Sequence, residues 1–215
     1  MTAQEIIAAL EAQANPANVA GMARYGISTS GTLGVPVHAI RKLAREVGRD
    51  HGLAAELWES GIHEARILAT IIDRPADVTR SQMNRWARDF DSWDICDHAC
   101  HNLFRYTPFA FDKAVEWAHA RREFVRRAGF SLMAGLAVKA KTAPDSAFEG
   151  FLPLIAEAAT DDRNMVKKAV NWALRAIGKR NARLRPKAIE AAEAIRKIDS
   201  RAARWIAADA LRELR

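Results

Sequence analysis

The sequence predicts an all-α protein built as a stack of helical hairpins, and three observations lead to this fold class. Alanine supplies 43 of the 215 residues, whereas tyrosine and other strand-favouring residues are scarce, which favours helix along the whole chain. Turn signals divide the chain into segments of helical length joined by short connections. These segments pair roughly every 30–40 residues, a spacing typical of HEAT-like helical repeats.

Thirteen helices are expected in order along the chain, each bounded by turn-forming residues. The clearest breaks are "STSGTLGVP" after Tyr25, "DRPAD" at 73–77, "TPF" at 107–109, "TAPDS" at 142–146 and "DS" at 199–200. The expected helices span residues 3–13, 17–25, 36–47, 51–59, 62–73, 79–89, 92–104, 108–119, 122–140, 145–159, 162–178, 185–197 and 200–213. We expect a single domain over residues 1–215, folded as a superhelical α-solenoid with a concave basic face. A compact orthogonal bundle is the alternative.

Composition bounds the class of protein. Lys and Arg number 33 against 26 Asp and Glu, giving a formal net charge of +7 and a pI near 9.8. This excess of positive charge suits a polyanionic partner, but it is also within the range that simply keeps a domain soluble. No apolar run approaches the roughly 18–20 residues that span a bilayer, and the first residues indicate an acidic amphipathic helix rather than a secretion signal. Cys96 and Cys100 lie four residues apart, which indicates a reducing compartment, so we expect a cytoplasmic protein.

One predicted helix, "RNMVKKAVNWALRAIGKR" at 163–180, carries a tryptophan outside its apolar stripe. Residues at i, i+4, i+7 and i+11 share a helix face. That face carries Lys168, Trp172, Arg175 and Lys179. The position of a large indole among three cations is explained if this face meets a polyanion rather than the core.

The segment "DSWDICDHACHNLF" at 91–104 pairs an aromatic side chain with a carboxylate. Asp91 is the expected N-cap, with Asp94 three residues on in a capping-box-like start. Trp93 and Asp97 lie one turn apart and project side by side, so together they suit a cationic ring. The alternative is an edge-packed indole beside a solvated acid.

The same segment contains candidate metal ligands at Cys96, Asp97, His98, Cys100 and His101. The two cysteines share a helix face, but the two histidines point away from it, and a closed zinc site needs four ligands. We therefore expect buried, inert thiols and no metal. The chain also lacks GxGxxG, Walker, HExxH and GxSxG motifs, which weakens nucleotide, zinc-protease and hydrolase interpretations.

Two further basic features are candidates for anion binding. In "EFVRRAGFSLMAGLAVKAK" at 123–141, Arg127 points away from the apolar stripe, above small residues that would let its planar guanidinium reach a phosphate. The alternative is a surface ion pair with Glu123. The stretch "GKRNARLRPK" at 178–187 places five cations in ten positions, either as a clamp on a phosphate backbone or as a solvated turn.

Together these segments resemble the AlkD family of alkylpurine DNA glycosylases, which are HEAT-like repeat proteins. The matching stretches occur in the family's order and are "MARYGI", "SWDICD" at 92–97, "FVRRAGF" at 124–130 and "VKKAVNWALRAIGKRN" at 166–181. The Trp-Asp-x-x-Asp and Lys-Ala-x-x-Trp-x-Leu-Arg elements are the specific ones. The chain departs from the family pattern at Ser92, where an additional Trp often stands, and in extra residues around "KAKTAPDSAFEG". These departures bear on substrate range more than on fold.

The resemblance implies which residues form the site. Trp93, Asp97, Arg127 and Trp172 match the family's catalytic positions in the DNA-binding cleft, with Arg126 as the adjacent alternative for the arginine. The residues expected to contact DNA are Tyr25, Arg126, Lys168, Arg175, Lys179 and Arg180.

The activity that the resemblance implies is excision of cationic N3- or N7-alkylated purines from double-stranded DNA. Asp97 would stabilise the oxocarbenium-like sugar, both tryptophans would pack against the nucleotide, and Arg127 would hold a phosphate. No lysine is placed beside Asp97, so an abasic site is the expected product. We expect a monomer with no cofactor, membrane or obligate protein partner. The alternatives are a non-catalytic DNA-structure-binding protein and a helical-repeat scaffold, which Asp97 and the basic Trp172 face respectively disfavour.

Overall fold

The computed structural model describes all residues, Met1–Arg215, as fourteen α-helices and two 3₁₀ turns with no strand, which confirms the all-α prediction. The helices are α1 (Ala3–Glu11), α2 (Pro16–Ala23), α3 (Val37–Val47), α4 (His51–Glu59), α5 (His63–Ile72), α6 (Arg80–Arg88), α7 (Trp93–Asn102), α8 (Ala110–Ala118), α9 (Glu123–Lys139), α10 (Asp145–Glu149), α11 (Phe151–Glu157), α12 (Asn164–Arg180), α13 (Leu184–Arg196) and α14 (Arg201–Leu214), with 3₁₀ turns at Phe104–Tyr106 and Ala158–Thr160. None of these helices combines the length and apolar content needed to cross a lipid bilayer.

The helices pack as stacked hairpins. Consecutive helices pair, as α4 does with α5, α8 with α9, and α13 with α14. Helices of successive hairpins also lie side by side, with α5 packed on α3 and α7, and α12 packed on α9 and α14. Pairing of this kind is typical of helical-repeat proteins rather than of an orthogonal bundle. The chain forms two compact units, Met1–Pro108 (unit 1) and Phe109–Arg215 (unit 2).

The helix expected at 145–159 is interrupted, so that prediction was wrong. The structure has α10 and α11, which meet at Gly150, and a 3₁₀ turn after α11. Pro153 has no N–H and therefore cannot donate to the carbonyl of Glu149. The hydrogen bond that would carry one continuous helix across Gly150 is missing for this reason.

The helix expected at 162–178 is α12, and it runs two residues past its expected end. Gly178 lies inside the helix because a Cβ at this position would stand 2.7 Å from Cδ2 of Leu214 on α14. This glycine therefore permits close packing of α14 on α12 instead of ending the helix.

A stacked pair of indoles forms the centre of the unit 1 core. The rings of Trp58 and Trp86 are 4.0 Å apart between centroids and inclined by only 2°. Phe90 lies edge-on to Trp58 at 6.2 Å, and Phe104 lies 6.1 Å from Trp86. All four side chains are buried, so α4, α6 and the 3₁₀ turn after α7 share one aromatic cluster.

A buried carboxylate holds the loop that precedes α3. Glu64 on α5 is 1% exposed. Its Oε1 accepts hydrogen bonds from the backbone N–H groups of Gly34 at 2.7 Å and Val35 at 3.2 Å, and its Oε2 accepts one from Leu33 at 2.9 Å. These amides lie outside any helix, so Glu64 supplies the partners that the loop backbone lacks.

The centre of unit 2 is α9, which packs against α8 on one side and α12 on the other. Every residue from Arg127 to Ala137 is buried. The sequence interpretation gave α9 one buried stripe and one open face that included Ser131 and Ala134. That interpretation was wrong, because helices cover both sides of α9.

Close packing of α8 on α9 depends on Gly129. A Cβ at this position would lie 2.6 Å from the backbone N of Ala118 and 2.8 Å from the carbonyl carbon of Trp117. We expect Gly129→Ala to destabilise the protein by about 1–3 kcal/mol, because backbone atoms cannot yield as a side-chain tip can. Gly21→Ala on α2 is the control: a Cβ there meets nothing within 4 Å, and we expect a gain of about 0.5–1 kcal/mol. Urea unfolding of both variants measures the two effects, and equal changes would contradict the packing argument.

Candidate nucleic-acid interface

Unit 1 brings together three of the residues predicted from sequence, Tyr25, Trp93 and Asp97. Trp93 is the first residue of α7, and its Nε1 donates a hydrogen bond to the backbone carbonyl of Tyr25 at 2.9 Å, across 68 positions of sequence. The Tyr25 side chain is 72% exposed. Asp97 lies one turn after Trp93 on α7 and is half-buried. The structure therefore places two aromatic residues and one carboxylate on one part of unit 1.

The start of α7 is fixed by a second acid, Asp94, rather than by the capping box expected from sequence. Ser92, not Asp91, is the N-cap residue, and its side chain makes no capping bond to the helix amides. The Ser92 hydroxyl instead donates to Oδ1 of Asp94 at 2.8 Å, while Oδ2 of Asp94 lies 2.8 Å from Nε2 of His63. Asp94 thus faces α5 and joins the start of α7 to His63 on that helix.

The His63–Asp94 contact is an ion pair. Burial is the largest influence on His63 and lowers its pKa, but the hydrogen bond and charge of Asp94, with help from Glu64 and Asp91, raise the pKa above its ordinary value. For Asp94, burial raises the pKa, yet His63 and the Ser92 hydroxyl hold it below its ordinary value. A raised histidine pKa beside a lowered aspartate pKa favours the charged form of both groups.

We expect the destabilisation caused by His63→Gln to be larger in mildly acidic solution than in alkaline solution. A raised folded-state pKa means that the contribution of His63 is complete below about pH 6.5 and is lost as pH rises through the raised value. The lowered pKa of Asp94 means that its contribution is present above about pH 3.9 and is lost as pH falls through the lowered value. Urea unfolding of the wild type and the variant at pH 5.5 and pH 9 should therefore give the larger difference at pH 5.5.

The control for this prediction is His38→Gln, because His38 is exposed on α3. We expect this variant to change the unfolding free energy by less than about 0.5 kcal/mol. His98 is retained in every protein compared, and burial influences its pKa more than the charge of His63 does. A difference between wild type and His63→Gln that stays constant with pH would refute the ion pair.

His98 follows Asp97 on α7 and is neutral. Burial is the main influence and lowers its pKa below the ordinary value, ahead of the opposing charges of Asp94 and Asp97. Its Nδ1 lies 3.2 Å from the side-chain nitrogen of Asn102, which also donates to the Thr70 hydroxyl at 3.0 Å. An amide nitrogen is a donor only, so Nδ1 of His98 accepts and Nε2 carries the proton.

In unit 2, Arg127 is not the exposed side chain that the helical-face analysis predicted. It is 6% exposed, and its Nη1 donates to the backbone carbonyl of Met165 at 2.7 Å. Met165 belongs to the first turn of α12. The guanidinium is buried because α12 packs over the face of α9 that carries it, and it ties the two helices together.

Arg126, the adjacent candidate, is held by an acid of unit 2. Its Nη1 forms an ion pair with Asp161 at 3.1 Å, and Asp161 also pairs with Arg163 at 2.5 Å. Burial raises the pKa of Asp161, but the Arg163 hydrogen bond and charge, together with Arg126, hold it below its ordinary value. Asp161 is therefore ionised and neutralises part of the charge that Arg126 would offer to a ligand.

The face of α12 that carries Trp172 is partly neutralised by α14. Arg175 and Lys179 both pair with Glu213, and Arg175 lies 3.7 Å from Asp209. Lys168 is exposed and Trp172 is half-buried. The sequence placed all three cations on an open face, but only the Lys168 end of that face carries no ion pair with α14.

The basic stretch 178–187 is structural over most of its length, so it matches neither alternative, a clamp on a phosphate backbone or a solvated turn. Arg180 donates to the carbonyls of Ala137 at 2.8 Å and Ala140 at 2.6 Å, where α9 ends, and its guanidinium lies 4.1 Å from the ring centroid of Phe148. A cation that hydrogen-bonds the last carbonyls of a helix stabilises its C-terminus. Arg183 pairs with Asp145 at 2.9 Å.

A group of arginines in unit 1 was missed by the sequence analysis. Arg41, Arg49 and Arg105 line a cavity of about 1080 Å³, and a smaller adjoining cavity of about 300 Å³ is lined by Arg41, Arg45 and Arg49. The available signal was the recurrence of arginine at 41, 45 and 49, which are spaced to share one helix face. Arg105 comes from a distant part of the sequence and gave no such signal.

The fold and these surfaces define a helical-repeat protein with aromatic, acidic and basic groups of the kinds that bind nucleic acid. A family model described as a DNA alkylation repair enzyme matches residues 6–214, and the chain belongs to that family. The predicted resemblance is therefore confirmed at the level of the family.

Comparison with solved structures agrees on the fold. A structure described as a new family of proteins related to the HEAT-like repeat DNA glycosylases, with affinity for branched DNA structures, superposes with a TM-score of 0.82 at 20% identity, covering 100% of this chain and 96% of that chain. This match shows the HEAT-like fold. An engineered protein matches with a TM-score of 0.40 at 16% identity, covering 87% of this chain and 92% of that chain, a score too low to indicate a shared fold. No curated protein matches the chain significantly.

Proposed function

We propose that this protein is a DNA glycosylase that removes cationic N3- or N7-alkylated purines, such as 3-methyladenine and 7-methylguanine, from double-stranded DNA. The observation that carries the proposal is the arrangement of Tyr25, Trp93 and Asp97 in unit 1. Trp93, joined to the Tyr25 backbone carbonyl by a hydrogen bond, lies one helical turn from the half-buried carboxylate of Asp97.

This arrangement suits a reaction in which positive charge develops on a sugar. An alkylated purine already carries a positive charge, so it leaves without protonation by the enzyme. As the glycosidic bond lengthens, charge grows on the deoxyribose, and the Asp97 carboxylate stabilises it. The indole of Trp93 offers a face to the same cationic group. The base leaves as a neutral purine with the electrons of the broken bond, and water adds to the sugar carbon and releases its proton to the solvent.

The lysine content of unit 1 supports hydrolysis without strand cleavage. A lyase step requires an amine nucleophile beside the sugar. Lys42 is the single lysine among residues 1–108, and it lies on α3 rather than on α7. We therefore propose an abasic site as the product.

In this proposal the unit 2 residues support the DNA rather than the chemistry. Trp172 and Lys168 on α12 contact the sugar-phosphate backbone, with Lys168 neutralising a phosphate. Nη1 of the buried Arg127 donates to the backbone carbonyl of Met165. We therefore assign Arg127 the role of positioning the first turn of α12. We further propose that the protein acts as a monomer.

The test is incubation of the protein with duplex DNA that contains 7-methylguanine or 3-methyladenine, followed by chromatographic detection of the free base. Release of free base at a rate proportional to enzyme concentration, with an alkali-labile site left in the strand, is the expected result. If neither base is released above the spontaneous rate, the proposal fails.

A second candidate function is DNA-structure binding without catalysis. It is favoured by the solved structure with the same fold, which is described as having affinity for branched DNA. The same protein preparation distinguishes the two functions. Tighter binding to a four-way junction than to linear duplex of equal length, with no base release, would support this second function.

A further inference from the structure

The two adjoining cavities of unit 1 form one open groove, which we call the arginine groove and define by Arg41, Arg45, Arg49 and Arg105. The cavities share Arg41, Arg49 and Ile71 among their lining residues. All lining residues belong to unit 1, and none of them is an aspartate or a glutamate. The groove therefore concentrates four positive charges with no carboxylate in its walls.

The four guanidinium groups come from two places in the chain. Arg41 and Arg45 lie one turn apart on α3, and Arg49 follows just after the helix ends. Arg105 lies in the 3₁₀ turn after α7. Arg41 and Arg45 are exposed and form no ion pair, whereas Arg49 donates to the backbone carbonyl of Asp73.

Arg105 is held in a fixed orientation. Its Nη2 donates to the Tyr106 hydroxyl at 3.0 Å, its Nη1 lies 3.2 Å from Nδ1 of His101, and its guanidinium lies 4.9 Å from the centroid of the Tyr106 ring. The Nε atom of Arg105 is buried without a hydrogen-bond partner. A guanidinium positioned by its neighbours loses less freedom when it binds an anion.

The contrast with unit 2 indicates that this charge is available to a ligand. On α12, Arg175 and Lys179 both form ion pairs with Glu213. In the arginine groove no carboxylate lines the wall, so the like charges repel one another unless an anion binds. A surface of this kind is typical of a binding site for phosphates, which guanidinium groups hold in forked geometry.

We propose that the arginine groove binds successive phosphates of the duplex DNA backbone, beyond the nucleotide at Asp97. The groove begins close to that residue, because His101 lines it and follows Asp97 by one turn of α7, or about 6 Å along the helix axis. A volume of about 1080 Å³ exceeds what a single phosphate fills, so the groove has room for more than one phosphate of the backbone. This inference rests on the proposed function only in taking DNA as the ligand.

The test compares the salt dependence of binding to undamaged duplex DNA for the wild type and the triple variant Arg41→Gln/Arg45→Gln/Arg105→Gln. Arg49 is retained because it holds the Asp73 carbonyl. Each phosphate contact contributes a slope of about −0.9 to log K against log[salt]. We expect the slope of the variant to be shallower by about 2–3, measured by fluorescence anisotropy between 50 and 200 mM salt, two concentrations over which such contacts differ strongly.

The matched control is Arg196→Gln/Arg204→Gln/Arg212→Gln, which removes the same net charge from exposed arginines of unit 2 that pair with Glu193, Asp199 and Asp209. An equal decrease in slope for the control would overturn the proposal, because net charge alone would then explain it. A decrease seen with single-stranded DNA but not with duplex would overturn it too. If the triple variant does not fold, Arg41→Gln alone must lower the slope by about 1.

The readout keeps this inference separate from the catalytic proposal. Binding to undamaged duplex needs no excision. If the wild type releases no base but the triple variant has the shallower salt slope, only the glycosylase function is refuted. Normal base release combined with an unchanged slope in the triple variant would refute the groove alone.

Discussion

Asp97→Asn is expected to slow the release of alkylated purines severely while leaving DNA affinity intact. The amide has nearly the shape of the carboxylate but carries no charge, so it cannot stabilise the positive sugar as the glycosidic bond breaks. Loss of one preorganised electrostatic group of this kind costs about 10²–10³-fold in rate. Affinity for the polyanionic duplex should stay equal or rise slightly, because a negative charge beside the DNA is removed.

The measurement is single-turnover release of 7-methylguanine from duplex, with binding of the same duplex followed in parallel. Asp199→Asn is the control, because Asp199 is fully exposed in unit 2 and pairs only with Arg204 at the surface. We expect wild-type rates from it. Wild-type excision by Asp97→Asn would show that the carboxylate has no part in the chemistry and would remove the basis of the proposed function.

Glu64→Ala is expected to cause a large loss of stability in unit 1. Truncation leaves the N–H groups of Leu33, Gly34 and Val35 without the carboxylate that accepts from them. Burying unsatisfied backbone donors costs about 1–3 kcal/mol each. Water that enters the space left by the side chain recovers part of this, so we expect a net loss of about 3 kcal/mol or more in unfolding free energy.

Urea unfolding monitored by far-UV circular dichroism measures this loss. Glu56→Ala on α4 is the matched control, since Glu56 is exposed, and it should change stability by less than about 0.5 kcal/mol. Glu64→Gln should fall between the two, because an amide retains one acceptor oxygen but directs its NH₂ group at backbone donors. Similar values for Glu64→Ala and Glu56→Ala would show that the loop does not need the buried carboxylate.

Local signals in the sequence were sufficient for the helical class and for the pairing of Trp93 with Asp97. Helix boundaries follow from caps and breakers, and two residues one turn apart on a single helix must lie together. The contact of Trp93 with Tyr25 joins segments 68 positions apart, so periodicity carries no trace of it. The family resemblance, not the helical pattern, linked these two residues.

Features that depend on neighbouring helices were mispredicted or missed for the same physical reason. The burial of Arg127 results from α12 packing over α9, and the pairing of Arg175 and Lys179 results from acids on α14. Arg180 is committed to the end of α9 in the same way. The amphipathic pattern of one helix shows which face is apolar, but it contains no information about which charged residues a second helix places opposite its polar face.

The stacked indoles of Trp58 and Trp86 have a spectroscopic consequence. Two nearly parallel chromophores 4.0 Å apart interact through their transition dipoles, which gives the pair an optical signature that isolated tryptophans lack. Both belong to residues 1–108, while Trp117, Trp172 and Trp205 belong to residues 109–215. Near-ultraviolet dichroism of this pair therefore reports melting of the amino-terminal helices separately from that of the carboxy-terminal ones, with no label attached.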